Sequence, residues 1–418
     1  MSSTVIEKPA VEPRRTTSDT TTQLQHATKE ASGNPVVTAL NKLGLYLFQK
    51  EAKRVEHNVL LCPAAVTASL MVAQACAQGD THRQMVDLLV NEGGELDHLE
   101  EAVTSALKAL EKDKANAESA LLYRLFVSRH VELNKGCEDL LASQLGCSVD
   151  RVSFHTSSHE DIAFAVNGSF ADGSPLIGEV LPTAAVDTTT NLLMASAFHF
   201  RGLLEPPFTR NPEPRAFKTN LTTEEMMEFE SSVGTFMYGE IRDPVSAKVL
   251  ELPYRGGAVS LLFLLPDKVR QIKDLLDQLS PAFLDRVAGC LKTKKVHVEI
   301  PHARIESRYP LNTTLINSGV KLAFLPTADF TQLVSDGEVH LNNLLHKSTL
   351  VLDEGLPAAT TPFDELSEEE RQKVTTAAPV GPGDVQFELT RPFIFVLRST
   401  GDGGILLLGV VRDLKKMK

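Results

Sequence analysis

The 418-residue sequence predicts a protein of the α+β class, with helices and strands segregated along the chain. Apolar residues recur at helical spacing in the first part, whereas short strand-like runs bounded by glycine, proline and charged residues dominate after about Asn191. The sequence shows no internal repeat and no regular alternation of strand and helix. These observations favour α+β over a doubly wound α/β fold.

The first part of the chain contains two helical patterns separated by a short strand pattern. After Pro35, the segment VVTALNKLGLYLFQKEAK places apolar residues on one stripe of a helix: Val37, Leu40, Leu43, Leu47 and Phe48. Pro63 opens AAVTASLMVAQACA, which is apolar on all sides and predicts a buried helix. Between them, NVLLCP predicts a short strand that ends at the proline.

The second part of the chain supplies a large β component. The predicted strands lie in LLMASAFHF, AKVLELPY, AVSLLFLLP, KVHVEIPHARI, STLVLDE, RPFIFVLR and GGILLLGVV. Continuous apolar runs such as SLLFLL are typical of strands covered on both faces. Gly401-Asp402-Gly403-Gly404 lies between two of these runs, so it predicts a hairpin turn rather than a phosphate-binding loop.

Composition and motifs exclude several functional classes. The formal net charge of −12 argues against binding to nucleic acid, and no apolar run approaches the roughly 20 residues of a membrane-spanning helix. The five cysteines include no CxxC pair, which argues against a zinc ribbon and a disulfide scaffold. HExxH, GxSxG, GxxxxGK and GxGxxG motifs are all missing from the sequence. We therefore predict no enzyme activity, no cofactor and no metal.

The N-terminal residues 1–34 are rich in Ser, Thr and charge and predict a disordered tail. They contain no apolar stretch of the kind a secretory signal needs, so the chain is predicted to be cytoplasmic if Met1 is the natural start. Three glycosylation sequons begin at Asn167, Asn220 and Asn312, and they would matter only in an exported chain.

One long segment between two strand patterns cannot form a core. Residues 355–391 read GLPAATTPFDELSEEERQKVTTAAPVGPGDVQFELTR and are rich in small residues, prolines and acids. A structureless segment of that length inside a compact domain is usually functional or disordered. This segment is therefore the first candidate for a functional site.

Several segments in colinear order resemble the serpin family. They are NVLLCP at 58–63, AQGDTHRQM at 77–85, RLF at 124–126, FHFRG at 198–202, LELPY at 250–254, LLPD at 264–267, IESRY at 305–309, GV at 319–320, ADF at 328–330, HKS at 346–348, RPFIF at 391–395 and LG at 408–409. The resemblance covers about residues 35 to 414, and it depends on the order of all these segments rather than on any single motif.

The resemblance implies one domain, residues 35–418, with three β-sheets and about nine helices, although the length alone suggests two or three domains. It also implies that residues 355–391 are an exposed reactive loop. An extracellular location and a monomeric state would be usual for the family. In inhibitory serpins a protease cleaves this loop and becomes acylated, and the loop then inserts as a new central strand of the main sheet.

The hinge at the start of the loop matches the family pattern only in part. Residues of the expected kind are Glu354, Gly355, Ala358, Ala359, Thr360 and Thr361, whereas Leu356 and Pro357 depart from it and Pro362 adds a second proline. Proline lacks the N–H that a central strand must donate. Both possible inward registers also bury a carboxylate, Asp364 or Glu365, which opposes insertion. A solvated loop that merely tolerates prolines and acids explains the same composition.

Two further features bear on inhibition. Arg371 and Lys373 are the only basic residues of the loop before Arg391, so they are the candidate scissile-bond residues for a trypsin-like serine protease. Leu204 stands where the family typically has Trp at the top of the main sheet. His346 matches a family position in the same sheet, where a structural role is favoured over a pH switch.

Two functions from different classes follow from these observations. The first is an inhibitor of serine proteases that presents residues 355–391 as bait, with inhibition slow or lost. The second is a non-inhibitory serpin that acts as a binding, carrier, chaperone or precursor protein. The family role favours the first function, and the hinge residues favour the second.

Overall fold

The computed structural model describes residues 34–111, 114, 116–335, 338–353 and 384–414. This part of the chain contains nine α-helices: α1 Pro35–Arg54, α2 Pro63–Ala75, α3 Gly79–Leu88, α4 Leu96–Glu111, α5 Cys137–Leu145, α6 His159–Gly173, α7 Ile272–Gln278, α8 Pro281–Cys290 and α9 Asn312–Ile316. Three of them, α1, α2 and α8, begin with a proline, whose fixed φ angle suits the first helical position.

Sixteen strands occur in the described residues. They are β1 Val59–Leu61, β2 Ala117–Ser128, β3 Ser148–Val152, β4 Leu192–Gly202, β5 Thr209–Arg210, β6 Arg215–Lys218, β7 Glu224–Met227, β8 Phe229–Ile241, β9 Ala247–Pro253, β10 Val259–Pro266, β11 Lys292–Pro301, β12 Ala303–Pro310, β13 Leu341–Leu352, β14 Val385–Glu388, β15 Phe393–Ser399 and β16 Ile405–Val411. They form three sheets, as the resemblance to the serpin family implies.

The largest sheet contains nine strands in the order β1-β16-β15-β10-β9-β8-β11-β14, with β5 paired to β8. Most neighbours are antiparallel, but β14 runs parallel to β11. A second sheet contains five strands in the order β12-β13-β4-β2-β3. The third sheet is the hairpin β6–β7.

Both large sheets pack against the same helices. One buried cluster joins Leu43 of α1 and Val72 of α2 to Met194 of the five-stranded sheet and Val396 of the nine-stranded sheet. The opposite face of the five-stranded sheet is covered by α6, whose Phe170 packs with residues of β2 and β4. These strands are therefore buried on both faces, which explains their continuous apolar runs.

The predicted elements are confirmed in type and place. The first two helical patterns form α1 and α2, NVLLCP contains β1, and the seven strand-like runs contain β4, β9, β10, β11 with β12, β13, β15 and β16. Residues 401–404 connect β15 to β16 as the predicted hairpin turn. Asn34, placed at the end of the tail by composition, is the N-cap of α1 and accepts a hydrogen bond from the Val36 N–H.

The predicted loop 355–391 is too long at its C-terminal end. Val385–Glu388 forms β14, and Phe387 and Leu389 are fully buried. Prolines and glycines just before Asp384 give the whole segment the composition of a loop, so the short strand that follows them was not predicted. Parallel pairing to β11 is a long-range contact that leaves no local signal.

No helix in the part of the chain that the structure describes is long and apolar enough to cross a membrane.

Candidate functional site

The candidate site is the seam, which we define as the boundary between β4 (Leu192–Gly202) and β13 (Leu341–Leu352). The two strands pair in parallel from Leu192 opposite Leu341 to Arg201 opposite Val351, with one irregularity near the start. Because the strands are parallel, a chain that turns back at the end of β13 would run antiparallel to both of them. The seam is therefore a place where one added strand could pair on both sides.

On the inner face, His346 of β13 ties the seam to the start of α2. Its Nε2 accepts the Cys62 backbone N–H at 3.1 Å and lies 2.9 Å from the Ser348 hydroxyl. Because Nε2 accepts, the ring proton resides on Nδ1, which faces the Ser196 hydroxyl of β4 at 2.9 Å. The imidazole thus bridges both strands of the seam and a helix N-terminus.

His346 is completely buried, and burial lowers its pKa to about 3. The ring is therefore neutral at physiological pH, and both nitrogens have partners. The edge of the Tyr309 ring packs against it, with 6.1 Å between ring centroids. This geometry supports the structural role that the sequence analysis favours for His346.

The outer face of the seam carries a second buried histidine with different surroundings. His199 of β4 lies between Ala120 of β2 and Thr349 of β13 and is 2% exposed. Neither ring nitrogen has a hydrogen-bond partner among the residues that the structure describes. Burial, together with the smaller effect of the nearby positive charges of Arg304 and Arg201, lowers the pKa of His199 to about 4. The closed seam therefore holds a neutral, unsatisfied imidazole.

Lys347, next to His346, is also buried on this face. Its ammonium group donates to the Glu179 carbonyl oxygen at 2.9 Å and lies 3.9 Å from the Glu306 carboxylate. Burial lowers the pKa of Lys347 more than the neighbouring acids raise it. Polar and charged groups thus line the outer face of the seam at its centre.

Leu204 lies just beyond β4, at the end of the seam where β13 also ends. It is 6% exposed and forms a single bridge with Tyr254, whose ring packs edge-on against Phe200 at 5.0 Å. At the same end, Arg201 binds Asp353 with 2.6 Å between Nη2 and Oδ2. The chain leaves the five-stranded sheet at this point.

The chain is anchored again in the nine-stranded sheet by β14. Asp384 binds Lys295 of β11 at 2.8 Å, and the Gln386 amide oxygen lies 2.8 Å from Nδ1 of His297. The Gln386 carbonyl oxygen accepts a hydrogen bond from Lys248 at 3.1 Å. Residues 354–383 therefore join two sheets, and each end is held by an ion pair.

Most of the predicted site residues lie outside the described part of the chain. They are Glu354, Gly355, Leu356, Pro357, Ala358, Ala359, Thr360, Thr361, Arg371 and Lys373. Their roles stay predictions. His346 lies in the seam opposite Ser196, and Leu204 lies just beyond the end of β4.

The sequence analysis did not select Ser196, His199 or Lys347. The signal was present, because Ser196 and His199 are polar residues inside the apolar run LLMASAFHF. A polar residue in a strand that is covered on both faces needs a hydrogen-bond partner, because a buried polar group without one destabilises the fold. Sequence alone did not say which neighbours each side chain would meet.

Comparisons with known proteins agree with this architecture. A family model described as Serpin (serine protease inhibitor) matches residues 38–414. Iripin-2 of Ixodes ricinus is 26% identical over 387 residues, which cover 90% of this chain and 93% of that protein. Serpin B3 of Homo sapiens is 23% identical over 402 residues, which cover 90% of this chain and 98% of that protein.

A solved structure of thyroxine-binding globulin in complex with thyroxine has the same fold. It is 18% identical, has a TM-score of 0.77, and the match covers 91% of this chain and 99% of that one. The chain belongs to the serpin family, as the resemblance of its sequence segments implied. Serpins are in general inhibitors or non-enzymatic proteins.

Proposed function

We propose that this chain is a serine-protease inhibitor that uses residues 354–383 as bait and the seam as the place of insertion. The parallel pairing of β4 and β13 is the observation that carries the proposal. The segment leaves β13 at Asp353, so a turn at that point would direct it antiparallel to both strands of the seam. β13 also pairs with β12, but these two strands are antiparallel, so a strand placed between them could run antiparallel to only one of them.

Insertion replaces one ladder of hydrogen bonds with two. The parallel β4–β13 ladder, which spans Leu192–Arg201 on one strand, would be exchanged for two antiparallel ladders. Each net hydrogen bond contributes about 0.5–1.5 kcal/mol, so several added bonds stabilise the inserted form by several kcal/mol. Opening the seam also breaks the contact between His346 and Ser196, a cost of about one hydrogen bond.

The hinge residues oppose this gain. Pro357 and Pro362 each remove one N–H from the incoming strand, and Asp364 or Glu365 would enter the sheet as an acid. Insertion competes with hydrolysis of the acyl bond, so slow insertion releases active protease. We therefore propose that the inhibition is slow and incomplete, and that the target is a protease with trypsin-like specificity.

The test is to mix the protein with trypsin at equal molarity and separate the products on a denaturing gel. A stable band with the summed mass of both proteins is expected for a minor fraction, together with loop-cleaved product. The matched control is Arg371→Ala/Lys373→Ala, which removes both candidate cleavage sites and should abolish both products. Quantitative cleavage without a stable band, with full trypsin activity, contradicts the proposal.

The alternative is a serpin that retains the fold and binds a ligand without trapping a protease. The hinge sequence at Leu356 and Pro357 favours it, and thyroxine-binding globulin is a protein of this fold that is seen with thyroxine. A cavity lined by Asn41, Leu284 and Arg398 has a volume of about 100 Å³. That is small beside the roughly 300–1,000 Å³ of typical ligand pockets, so a large ligand would need this cavity to widen.

A further inference from the structure

Three asparagines of the sequence start N-glycosylation sequons, and their side chains differ in exposure and hydrogen bonding in the folded protein. The modified atom is the side-chain nitrogen Nδ2, and a folded chain can carry a glycan only where that nitrogen reaches solvent. Glycans are bulky and hydrophilic, so an amide that supports the interior cannot carry one without disrupting the fold.

Asn167 is a structural residue of α6. It is half-buried, and its Nδ2 donates to the Leu181 carbonyl oxygen at 2.8 Å. Its Oδ1 accepts the backbone N–H groups of Val180 and Leu181 at 2.8 and 2.9 Å. The sequon hydroxyl, on Ser169, donates to Asp150 at 2.7 Å. Every polar atom of this sequon that a transferase would use holds the fold together.

Asn312 is in a similar position at the start of α9. Its Nδ2 donates to the Asn342 carbonyl oxygen at 2.8 Å, and its Oδ1 accepts the Leu344 N–H at 3.0 Å. The sequon hydroxyl belongs to Thr314, which is 1% exposed and donates to the buried carboxylate of Glu51. A glycan here would separate α9 from the strand β13 that forms the seam.

Asn220 lies at the tip of the β6–β7 hairpin and is exposed. Its Oδ1 accepts the backbone N–H groups of Thr222 and Thr223 at 2.8 and 2.9 Å, and the Thr222 hydroxyl at 3.0 Å. Among the described residues, Nδ2 of Asn220 makes no hydrogen bond, so it is available. The fold thus brings the amide and the sequon hydroxyl together on the surface and leaves the nitrogen open.

There is also room beside this amide. Asn220 and Thr223 line an open cleft of about 570 Å³, together with Arg270 and Lys273. The neighbouring Leu221 is 78% exposed. An oligosaccharide on Asn220 could extend over this cleft and over Leu221 without displacing a buried side chain.

We propose that Asn220 is the acceptor for an N-linked oligosaccharide in this chain, and that the folded protein excludes modification at Asn167 and Asn312. The donor is an oligosaccharide linked to a lipid pyrophosphate. Nδ2 of Asn220 attacks the anomeric carbon, so a C–N bond forms while the C–O bond to pyrophosphate breaks. The lipid pyrophosphate leaves, and the amide nitrogen loses one proton.

The experiment uses the full chain, folded after bacterial expression, with a purified single-subunit oligosaccharyltransferase and a lipid-pyrophosphate-linked oligosaccharide. Mass spectrometry of peptides after enzymatic deglycosylation identifies the occupied asparagines. We expect one glycan, on Asn220, in the folded protein. The urea-unfolded chain is the control for enzyme activity and should also be modified at Asn167 and Asn312.

Two matched variants make the result specific. Asn220→Gln should abolish modification of the folded protein, and Thr222→Ser should retain it because the hydroxyl is kept. The proposal is wrong if the folded chain stays unmodified at Asn220 while the unfolded chain is modified there. It is also wrong if Asn167 or Asn312 is occupied in protein that keeps its cooperative melting transition.

Discussion

At the scale of single residues, the two histidines of the seam show how neighbouring positions acquire opposite properties. His346 on the inner face has partners at both nitrogens, whereas His199 on the outer face has none within the described part of the chain. Both are buried in a neutral form because burial disfavours the charged ring. One of them stabilises the closed seam, and the other weakens it.

Replacing His199 by Phe should stabilise the closed protein. A buried polar group without a partner costs about 1–3 kcal/mol, and Phe removes that cost with a ring of similar shape. We expect the free energy of unfolding at pH 7 to rise by about 1 kcal/mol, measured by urea denaturation. The control is His159→Phe at an exposed position, which should change stability by less than about 0.5 kcal/mol. A destabilised His199→Phe protein would contradict this account.

Stability should fall as the pH decreases from about 7 to about 5. The pKa values of His199 and His346 are lowered from 6.5 to about 4 and about 3 in the folded protein. The unfolded chain therefore binds protons below pH 6.5 that the folded chain does not bind. Each histidine adds a slope of up to about 1.4 kcal/mol per pH unit, so the stability present above pH 6.5 is lost on acidification.

Urea midpoints measured at intervals of half a pH unit test this prediction. The His199→Phe variant should lose about half of the slope between pH 6 and pH 5, because one of the two titrating groups is gone. His159→Phe should keep the full slope. A profile that is flat over this range in the unmodified protein would show that the buried rings do not control acid stability.

At the scale of elements, the seam and the hinge have opposing requirements. The seam offers two parallel strands that could accept an antiparallel strand between them. The hinge that would supply the strand contains prolines at 357 and 362, which cannot complete the ladders. A protease is trapped only if insertion is faster than hydrolysis of the acyl bond. The rate of insertion should therefore matter more than the free energy of the inserted form.

Replacing both hinge prolines should improve the trap. Pro357→Ala/Pro362→Ala restores two N–H donors to the incoming strand, so insertion should compete better with hydrolysis of the acyl bond. We expect the fraction of trypsin held in the stable complex to rise several-fold. The matched control is Pro379→Ala/Pro382→Ala in the second half of the loop, which should leave the fraction unchanged. If both double variants hold the same fraction of trypsin in the stable complex, the hinge prolines are not the cause of slow inhibition.

At the scale of the whole molecule, residues 354–383 connect two different sheets. One end is held by Arg201 at Asp353, and the other by Lys295 at Asp384. While the segment is intact, full insertion would stretch it or detach β14 from β11. Under the proposed mechanism, cleavage would release the first half of the segment from this anchor, and this half would then insert at the seam.

Cleavage of the loop should therefore raise the melting temperature. Several added hydrogen bonds contribute several kcal/mol, which corresponds to an increase of roughly 5 °C for a chain of this size, at about 1 °C per kcal/mol. Differential scanning calorimetry before and after limited trypsin digestion measures it. The Arg371→Ala/Lys373→Ala protein under the same digestion should show no increase. An unchanged or lowered melting temperature after confirmed cleavage would favour the non-inhibitory alternative.

The sequence by itself determined the fold class, the helices α1 and α2, the strand β1 and seven later strand-forming runs, and the order of segments that identifies the family. These properties depend on local periodicity and on proline and glycine positions, as in α1, α2 and the turn at Gly401–Gly404. It also located His346 and Leu204 in one sheet, through the family resemblance. It extended the loop to Arg391, because it did not register the short strand β14.

Only the tertiary structure decided which side chains meet across long distances in the chain. Among the described residues His199 has no hydrogen-bond partner, while His346 contacts Cys62 and Ser196, because strand register and helix packing set their neighbours. The structure likewise separates Asn220, whose nitrogen is open to solvent, from Asn167 and Asn312, whose amides support backbone turns. Three sequons of the same general pattern differ in this way because exposure and hydrogen bonding arise from packing between elements, which no local pattern encodes.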